Sequence, residues 1–253
     1  MGNGHSHLLF RHGDSIVHRL PAHAKVLALL GFVLVVVATP RERYWAFAGY
    51  AALLAGVAVV ARLPAGFIAR RMVVEIPFVA FAALMPVVSG GARVDVLGVS
   101  LSQDGLLSGW NLLAKGTLGV VASILLAATT DARMLLMGLQ RLRLPARLIE
   151  IAAFMVRYVE VVVADMQRMR IARESRAFQA RHIGHLKVVA QGAGAMFMRT
   201  YERGERVHLA MVSRGYAGAM PLVDMRPAVV APAALAAVLP AAALAVWAGA
   251  VWV

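Results

Sequence analysis

Five apolar runs, set apart by proline, glycine and arginine, decide what this chain can fold into. They are Val26–Ala38, Ala46–Ala61, Met72–Gly91, Gly109–Ala128 and Pro227–Val253. A water-soluble domain is about half apolar and a quarter charged; here 60 % of the residues are apolar and only 15 % charged. The mean hydropathy of +0.72 requires a non-aqueous solvent for much of the surface. Yet the net charge is +13, so the charge is concentrated between the runs. That is the pattern of a multi-pass membrane protein with one positive face.

The first two runs are shorter than the roughly 20 residues that cross a bilayer comfortably. Lys25, Arg43 and Arg62 can snorkel to cover the shortfall, with Tyr44 and Trp45 at an interface; a re-entrant hairpin is the rival reading. Arg70 and Arg71 precede the third run. Residues 92–105 are polar and Gly/Ser-containing, and the alternation from Val94 to Leu101 reads as an exposed loop with a small β-hairpin. Lys115 lies in the outer half of the fourth run, where its stem can reach the headgroups. Pro232 and Pro240 interrupt the last run, and Trp247 and Trp252 anchor its end.

Residues 129–226 carry sixteen Lys/Arg against eight Asp/Glu. By the positive-inside rule this segment is cytoplasmic. Counting spans from it puts the N-terminus in the cytoplasm and the C-terminus outside the cell membrane. The N-terminus has no early apolar stretch and does not read as a cleaved signal peptide. The expected organisation is a tail with four spans over 1–128, a cytoplasmic region over 129–226 and a last span over 227–253.

Within the cytoplasmic region, Leu148–Met166 is apolar enough to raise a sixth span. Arg157 and Glu160 fall mid-run, and each charge costs about 2.5–3.5 kcal/mol on insertion scales. Pro145 at a first turn and no breaker before Ala177 predict instead one helix of about 30 residues, near 45 Å long. It reads as lying partly against the membrane underside. A second long helix is predicted from about His182 to Met211.

Each of these helices ends on the same local pattern. Ser175-Arg176-Ala177-Phe178 closes the first and Ser213-Arg214-Gly215-Tyr216 the second. One reading is ordinary helix termination, since a cation complements the negative end of the helix dipole and glycine suits a left-handed cap. The other is that two guanidiniums project from helix ends into acidic grooves of a partner, which the planar fork of arginine suits.

The ordered set of residues resembles the transmembrane T component of energy-coupling factor (ECF) transporters, in its cobalt/nickel subgroup. The matching residues are Leu20-Pro21, Lys25, Ser102 to Leu106, Leu126 to Thr130, Leu139 to Pro145, Arg157-Tyr158 and the two arginine signatures. The family signature is usually Ala-Arg-Gly, twice. Here the first copy is either Ala172-Arg173-Glu174 or Ser175-Arg176-Ala177, and neither has glycine. The resemblance implies an all-α integral membrane protein of about five spans, with long cytoplasmic coupling helices between the fourth and last. It implies ATPase coupling through Arg176, Ala177, Ser213, Arg214 and Gly215, with Arg173 the alternative in the first copy.

It also implies two cytoplasmic ABC ATPases as partners, carrying ATP and Mg, and a small membrane subunit that captures cobalt or nickel. The bilayer is the remaining partner, and no cofactor or metal is expected on this chain. Met155, Met166, Met169, Met196 and Met198 offer soft contact for the capture subunit or simply fill a core.

No Gly-x-x-x-x-Gly-Lys-Ser/Thr loop occurs, so ATP is not bound here by that route. No cysteine is available as nucleophile or ligand. Histidines are scattered: His5 and His7 lie in the tail, and His182 and His185 flank a turn without a third ligand nearby. No nucleic-acid motif accompanies the basic residues, and no nucleophile–base set stands out, so an enzyme is not expected. Glu75 and Lys115 read as single charges near interfaces. The remaining alternatives are a T component for a vitamin, a stand-alone secondary transporter, for which the internal repeat of spans is missing, and a membrane scaffold.

Overall fold

A computed structural model describes residues 10–11, 13–90, 93–96, 99–177, 186–218 and 233–252. Expectations for His5, His7, Phe178, His182, His185 and Pro232 fall outside the described residues. The chain divides into two compact units, one of Leu9–Leu142 with Met225–Val253, the other containing Arg143–Asp224.

The first unit carries the five apolar runs as helices. After a short α1 (Ile16–Arg19), α2 spans Ala22–Ala38 and α3 spans Tyr44–Val60. Next, α4 (Ala65–Arg71) continues through a 3-10 turn, Met72–Glu75, into α5 (Ile76–Val88). Strands β1 (Arg93–Val96) and β2 (Val99–Ser102) form the expected antiparallel hairpin, Arg93 opposite Ser102 and Val96 opposite Val99. They lead into α6 (Gln103–Thr129) and the short α7 (Ala132–Arg141). A 3-10 turn at Ala233–Ala237 opens the last helix, α10 (Val238–Trp252). Among the described residues, three stretches are long and apolar enough to cross a bilayer: Ala65–Val88, Gln103–Thr129 and Ala233–Trp252. Helices α2 and α3 are apolar but shorter, at 17 residues each. The all-α membrane fold is therefore the observed one, with three stretches long enough to span and two shorter apolar helices beside them.

Large apolar side chains point outward, Leu34, Val59 and Val88 being 69 %, 75 % and 74 % exposed. They suit a lipid surface. The core inside is built on Phe32, Phe47, Tyr50, Leu54, Leu118 and Leu125. Phe32 meets Tyr50 edge-on at 5.9 Å between ring centroids. The Tyr50 hydroxyl is 2.8 Å from that of Thr39, which itself donates to the Val35 carbonyl, so this buried polar pair is satisfied.

Helices α5 and α6 pack closest. Gly105 and Gly109 are four apart on α6, the small-xxx-small spacing that lets membrane helices touch. A Cβ at Gly105 would stand 2.6 Å from the Met85 carbonyl oxygen, and one at Gly109 would stand 2.8 Å from that of Ala82. Pro86 has no N–H to give that Ala82 carbonyl, so the freed oxygen faces the bare glycine. Ser102 starts α6: its Oγ accepts from the Gly105 N–H at 3.2 Å and donates to the Gly90 carbonyl at 2.9 Å.

The two lysines of this unit do one job. The last four carbonyls of a helix have no partner within it. Lys25 Nζ donates to the Thr129 carbonyl at the end of α6 (2.8 Å), to Thr130 Oγ1 (3.2 Å) and to the His18 carbonyl (3.3 Å). Lys115 Nζ donates to the Val37 carbonyl at the end of α2 (2.8 Å). It therefore closes a neighbouring helix, where headgroup contact had been expected. Glu75, expected near an interface, lies one turn beyond Arg71, is only 4 % exposed and accepts a hydrogen bond from Thr117 Oγ1.

The second unit contains α8 (Ala146–Glu174, 29 residues) and α9 (Leu186–Val212, 27 residues). The single long helix after Pro145 is present as expected, and it is not among the stretches apolar enough to span.

Candidate functional site: two arginine-bearing helix ends

Helix α8 is supported along its length by pairs at helical spacing. Arg170 Nε bonds Glu174 Oε1 at 2.7 Å, and Arg168 bonds Asp165 one turn back. At its end the Ser175 N–H donates to the Ile171 carbonyl (2.9 Å) and its hydroxyl to the Ala172 carbonyl (3.1 Å). The Arg176 N–H then reaches the Arg173 carbonyl (3.1 Å) and the Ala177 N–H the Glu174 carbonyl (3.0 Å). Ala177 takes a left-handed conformation, with φ +58°.

Helix α9 ends in the same way, bond for bond. The Ser213 N–H reaches the Leu209 carbonyl and its hydroxyl the Ala210 carbonyl, both at 3.0 Å. The Arg214 N–H donates to Met211 and the Gly215 N–H to Val212, again at 3.0 Å. Gly215 is left-handed at φ +86°, and the Tyr216 N–H closes back on the Met211 carbonyl. This pair of closing bonds is the glycine-type helix stop. The sequence echo is thus a structural echo. It holds although the first copy lacks glycine, because Ala177 adopts the left-handed turn at a cost of about 1–2 kcal/mol.

The alignment also separates Arg173 from Arg176. Arg176 and Arg214 occupy equivalent places after the last turn; both are exposed, and neither has an ion-pair partner among the described residues. Arg173 is half-buried, and a Cβ at Gly192 of α9 would stand 3.0 Å from its guanidinium. It faces the neighbouring helix, where Arg176 faces outward.

Three contacts fix α8 and α9 as antiparallel. Arg173 lies at Gly192, Arg203 donates to Asp165 at 3.1 Å, and the Tyr216 hydroxyl donates to Glu150 at 3.2 Å. The Arg214 end therefore sits beside the start of α8. From Glu150 to Arg176 the helix rises about 1.5 Å per residue, which puts the two arginines roughly 40 Å apart. Hydrogen bonds from Arg168 and Arg203 hold the Asp165 carboxyl below the usual carboxylate range. Desolvation, then the Glu150 carboxylate, push the Tyr216 phenol above its ordinary value.

The predicted Ser213, Arg214, Gly215, Arg176 and Ala177 are where the spacing put them. Sequence reasoning missed Glu150, Asp165, Gly192 and Arg203, whose partners lie 19 to 66 residues away in the chain. Met155, Met166 and Met198 are 68 %, 56 % and 55 % exposed, so they do not fill a core within this unit. Among the described residues no group of three or more His, Asp or Glu could hold a metal ion.

Apolar helices long enough to cross a membrane, together with a pair of long helices that each end on an exposed arginine, define a multi-pass membrane protein. Residues 13–225 match the family described as cobalt transport protein CbiQ. The chain is 30 % identical over 214 residues to the cobalt transport protein CbiQ of Rhodobacter capsulatus, covering 82 % of this chain and 83 % of that one. It is 25 % identical over 230 residues to the energy-coupling factor transporter transmembrane protein EcfT of Heliobacterium modesticaldum, covering 86 % of each. It is also 24 % identical over 223 residues to a putative fused cobalt transport protein CbiMQ of Methanocorpusculum labreanum, covering 83 % of this chain and 36 % of that one. The chain belongs to the CbiQ cobalt transport family, the cobalt subgroup of ECF transporter T components.

Proposed function

We propose that this chain couples two cytoplasmic ABC ATPases to a substrate-capture membrane subunit for cobalt or nickel, through Arg176 and Arg214. The observation that carries this reading is the duplicated helix end. The same turn presents the same exposed guanidinium at both far ends of an antiparallel pair. The arginine at the same place in both turns is more than the stop itself requires, since the stop is made by backbone bonds and a left-handed residue. A short helix end with a small residue beside its arginine fits a carboxylate-lined groove, and the guanidinium fork pairs there bidentately.

In this reading, ATP with Mg is bound and hydrolysed on the partner ATPases. The metal ion is cargo of the capture subunit, and this chain holds neither. The ATPases draw together on binding ATP, each carrying one arginine end, and the stiff helices pass that displacement to the capture subunit. The fused CbiMQ relative supports a capture partner, because well over half of its length lies beyond the match to this chain. By charge distribution the arginine-bearing helices face the cytoplasm, with the N-terminus inside and the C-terminus outside.

The test is purification of the complex and uptake of labelled Co²⁺ or Ni²⁺ in vesicles. Arg176→Ala and Arg214→Ala each leave the complex assembled and cut uptake more than tenfold relative to ATP hydrolysis; the double substitution releases the ATPases. Arg173→Ala has the smaller effect. Normal uptake with both ATPases retained in the double variant would refute the coupling role.

A further inference from the structure

The membrane unit contains a lateral cleft that the coupling reading does not use. It has a volume of about 320 Å³ and lies between α3 and α10, floored by α2 and α6. Its lining includes Gly56 and Val60 of α3, Leu239 and Ala242 of α10, Leu29 of α2 and Leu125 of α6. Lys25 and Thr129 are also at its wall, but neither has a donor to spare. Lys25 spends its three N–H on Thr129, Thr130 and His18, and the Thr129 hydroxyl donates to the Leu125 carbonyl at 2.8 Å. A polar or ionic ligand finds nothing to bind here, so the occupant is hydrocarbon.

The rim and the shape narrow it further. Val60, Val238 and Leu235 edge the cleft and are 50 %, 61 % and 46 % exposed, so it opens sideways onto the lipid-facing surface. The α3 lining runs from Leu53 to Val60, about 10 Å of helix. Two exposed arginines flank one end: Arg19 precedes the lining residue Leu20, and Arg62 follows the last turn of α3 beyond Val60. Basic groups at the mouth of an apolar pocket between membrane helices suit an anionic headgroup.

We infer that this cleft holds one acyl chain of an anionic phospholipid, with its headgroup phosphate at Arg19 and Arg62. The lipid acts as a structural wedge between α3 and α10. The inference does not depend on the coupling role of the arginine helix ends.

Gly56 provides a direct test, because it lines the cleft and a Cβ added there meets nothing within 4 Å. The chain is solubilised from vesicles of equal phosphatidylglycerol and phosphatidylethanolamine, and retained lipid is read by native mass spectrometry. One phospholipid per chain, mainly phosphatidylglycerol, is expected, and Gly56→Phe removes it without lowering the melting temperature. Arg19→Gln with Arg62→Gln keeps a bound lipid but loses its preference for phosphatidylglycerol, by about fivefold per arginine. The chain has no cysteine, so Val60→Cys at the exposed rim carries a unique fluorophore that leaves the cleft open, expected to be quenched by one equivalent of chain-brominated phosphatidylglycerol in detergent. Wild-type chain free of lipid, a Gly56→Phe variant retaining as much lipid, or no quenching would each overturn the inference. So would a crosslink from Gly56→Cys to another subunit in the intact complex.

Discussion

Glycine does different things at two sets of positions, one in each unit. In the membrane unit, Gly105 and Gly109 lie where one backbone rests on another. Gly138 of α7 is similar, since a Cβ there would stand 2.7 Å from the His23 nitrogen. In the second unit, Gly194 and Gly204 lie in the middle of α9 and a Cβ at either meets nothing within 4 Å. The first group is explained by contacts inside the chain. The second is not, and a helical glycine costs about 0.5–1 kcal/mol relative to alanine. The same contrast holds for polar groups. Lys25, Lys115, Glu75 and Tyr50 are all satisfied within the membrane unit. On α8 and α9, Arg176, Arg214 and a run of apolar side chains including Phe197 and Leu209, 66 % and 67 % exposed, face outward. One unit meets these polar groups within itself; the other leaves its arginines and apolar side chains facing outward.

The largest expected effect breaks the first half of this contrast. Gly105→Leu drives a side chain into the Met85 carbonyl and Pro86 backbone, which cannot give. Overpacking of this kind costs about 3 kcal/mol or more. The variant is expected to melt well below wild type in detergent, or to fail to accumulate in the membrane. A melting temperature within a degree of wild type would mean that α5 and α6 are not packed through these glycines.

An intermediate effect tests what holds the second unit together. Asp165 joins α8 to α9 through Arg203, and its carboxyl is depressed by its two arginine partners. The contribution is therefore fully present above the ordinary carboxylate value of about 3.9 and is lost as pH falls through the lowered one. The protection of α9 amides, relative to their intrinsic exchange at each pH, is expected to fall only below about pH 4, and Asp165→Asn to show the lower protection already at neutral pH. Protection that changes between pH 5 and 7 would assign the link to another group.

Much of this was legible before any coordinates. Apolar runs bounded by Pro40, Arg62 and Gly91 gave the helices, and alternation from Val94 to Leu101 gave the hairpin. The absence of a breaker between Pro145 and Ala177 gave α8 at nearly its full length. The arginine ends were legible for the same reason, because a helix stop is a local event written in four adjacent residues. What was not legible is whatever joins distant segments. The spacing of Gly105 and Gly109 is visible, but their partner is a carbonyl freed by Pro86 on another helix. Lys25 reaches Thr129 across 104 residues, and no periodicity announces a lysine that caps someone else's helix. The antiparallel opposition of Arg176 and Arg214 depends on Arg173, Asp165 and Glu150 of α8 meeting Gly192, Arg203 and Tyr216 on or just after α9, which single-helix reasoning does not supply. The left-handed Ala177 escaped for a further reason: propensity assigns that conformation to glycine.

The smallest expected effect is the most discriminating. Gly194→Ala with Gly204→Ala fills no contact and relieves two helical glycines, worth about 1–2 kcal/mol in total. The second unit should gain stability, read as slower hydrogen exchange in α9, with the membrane unit unchanged. Transport then separates two causes of the same glycines. Unchanged uptake in the stabilised variant makes them neutral occupants of a solvated face. Uptake that falls while stability rises marks a place where a partner's backbone comes within a methyl's width of α9. The glycines would then be doing between chains what Gly105 and Gly109 do within one.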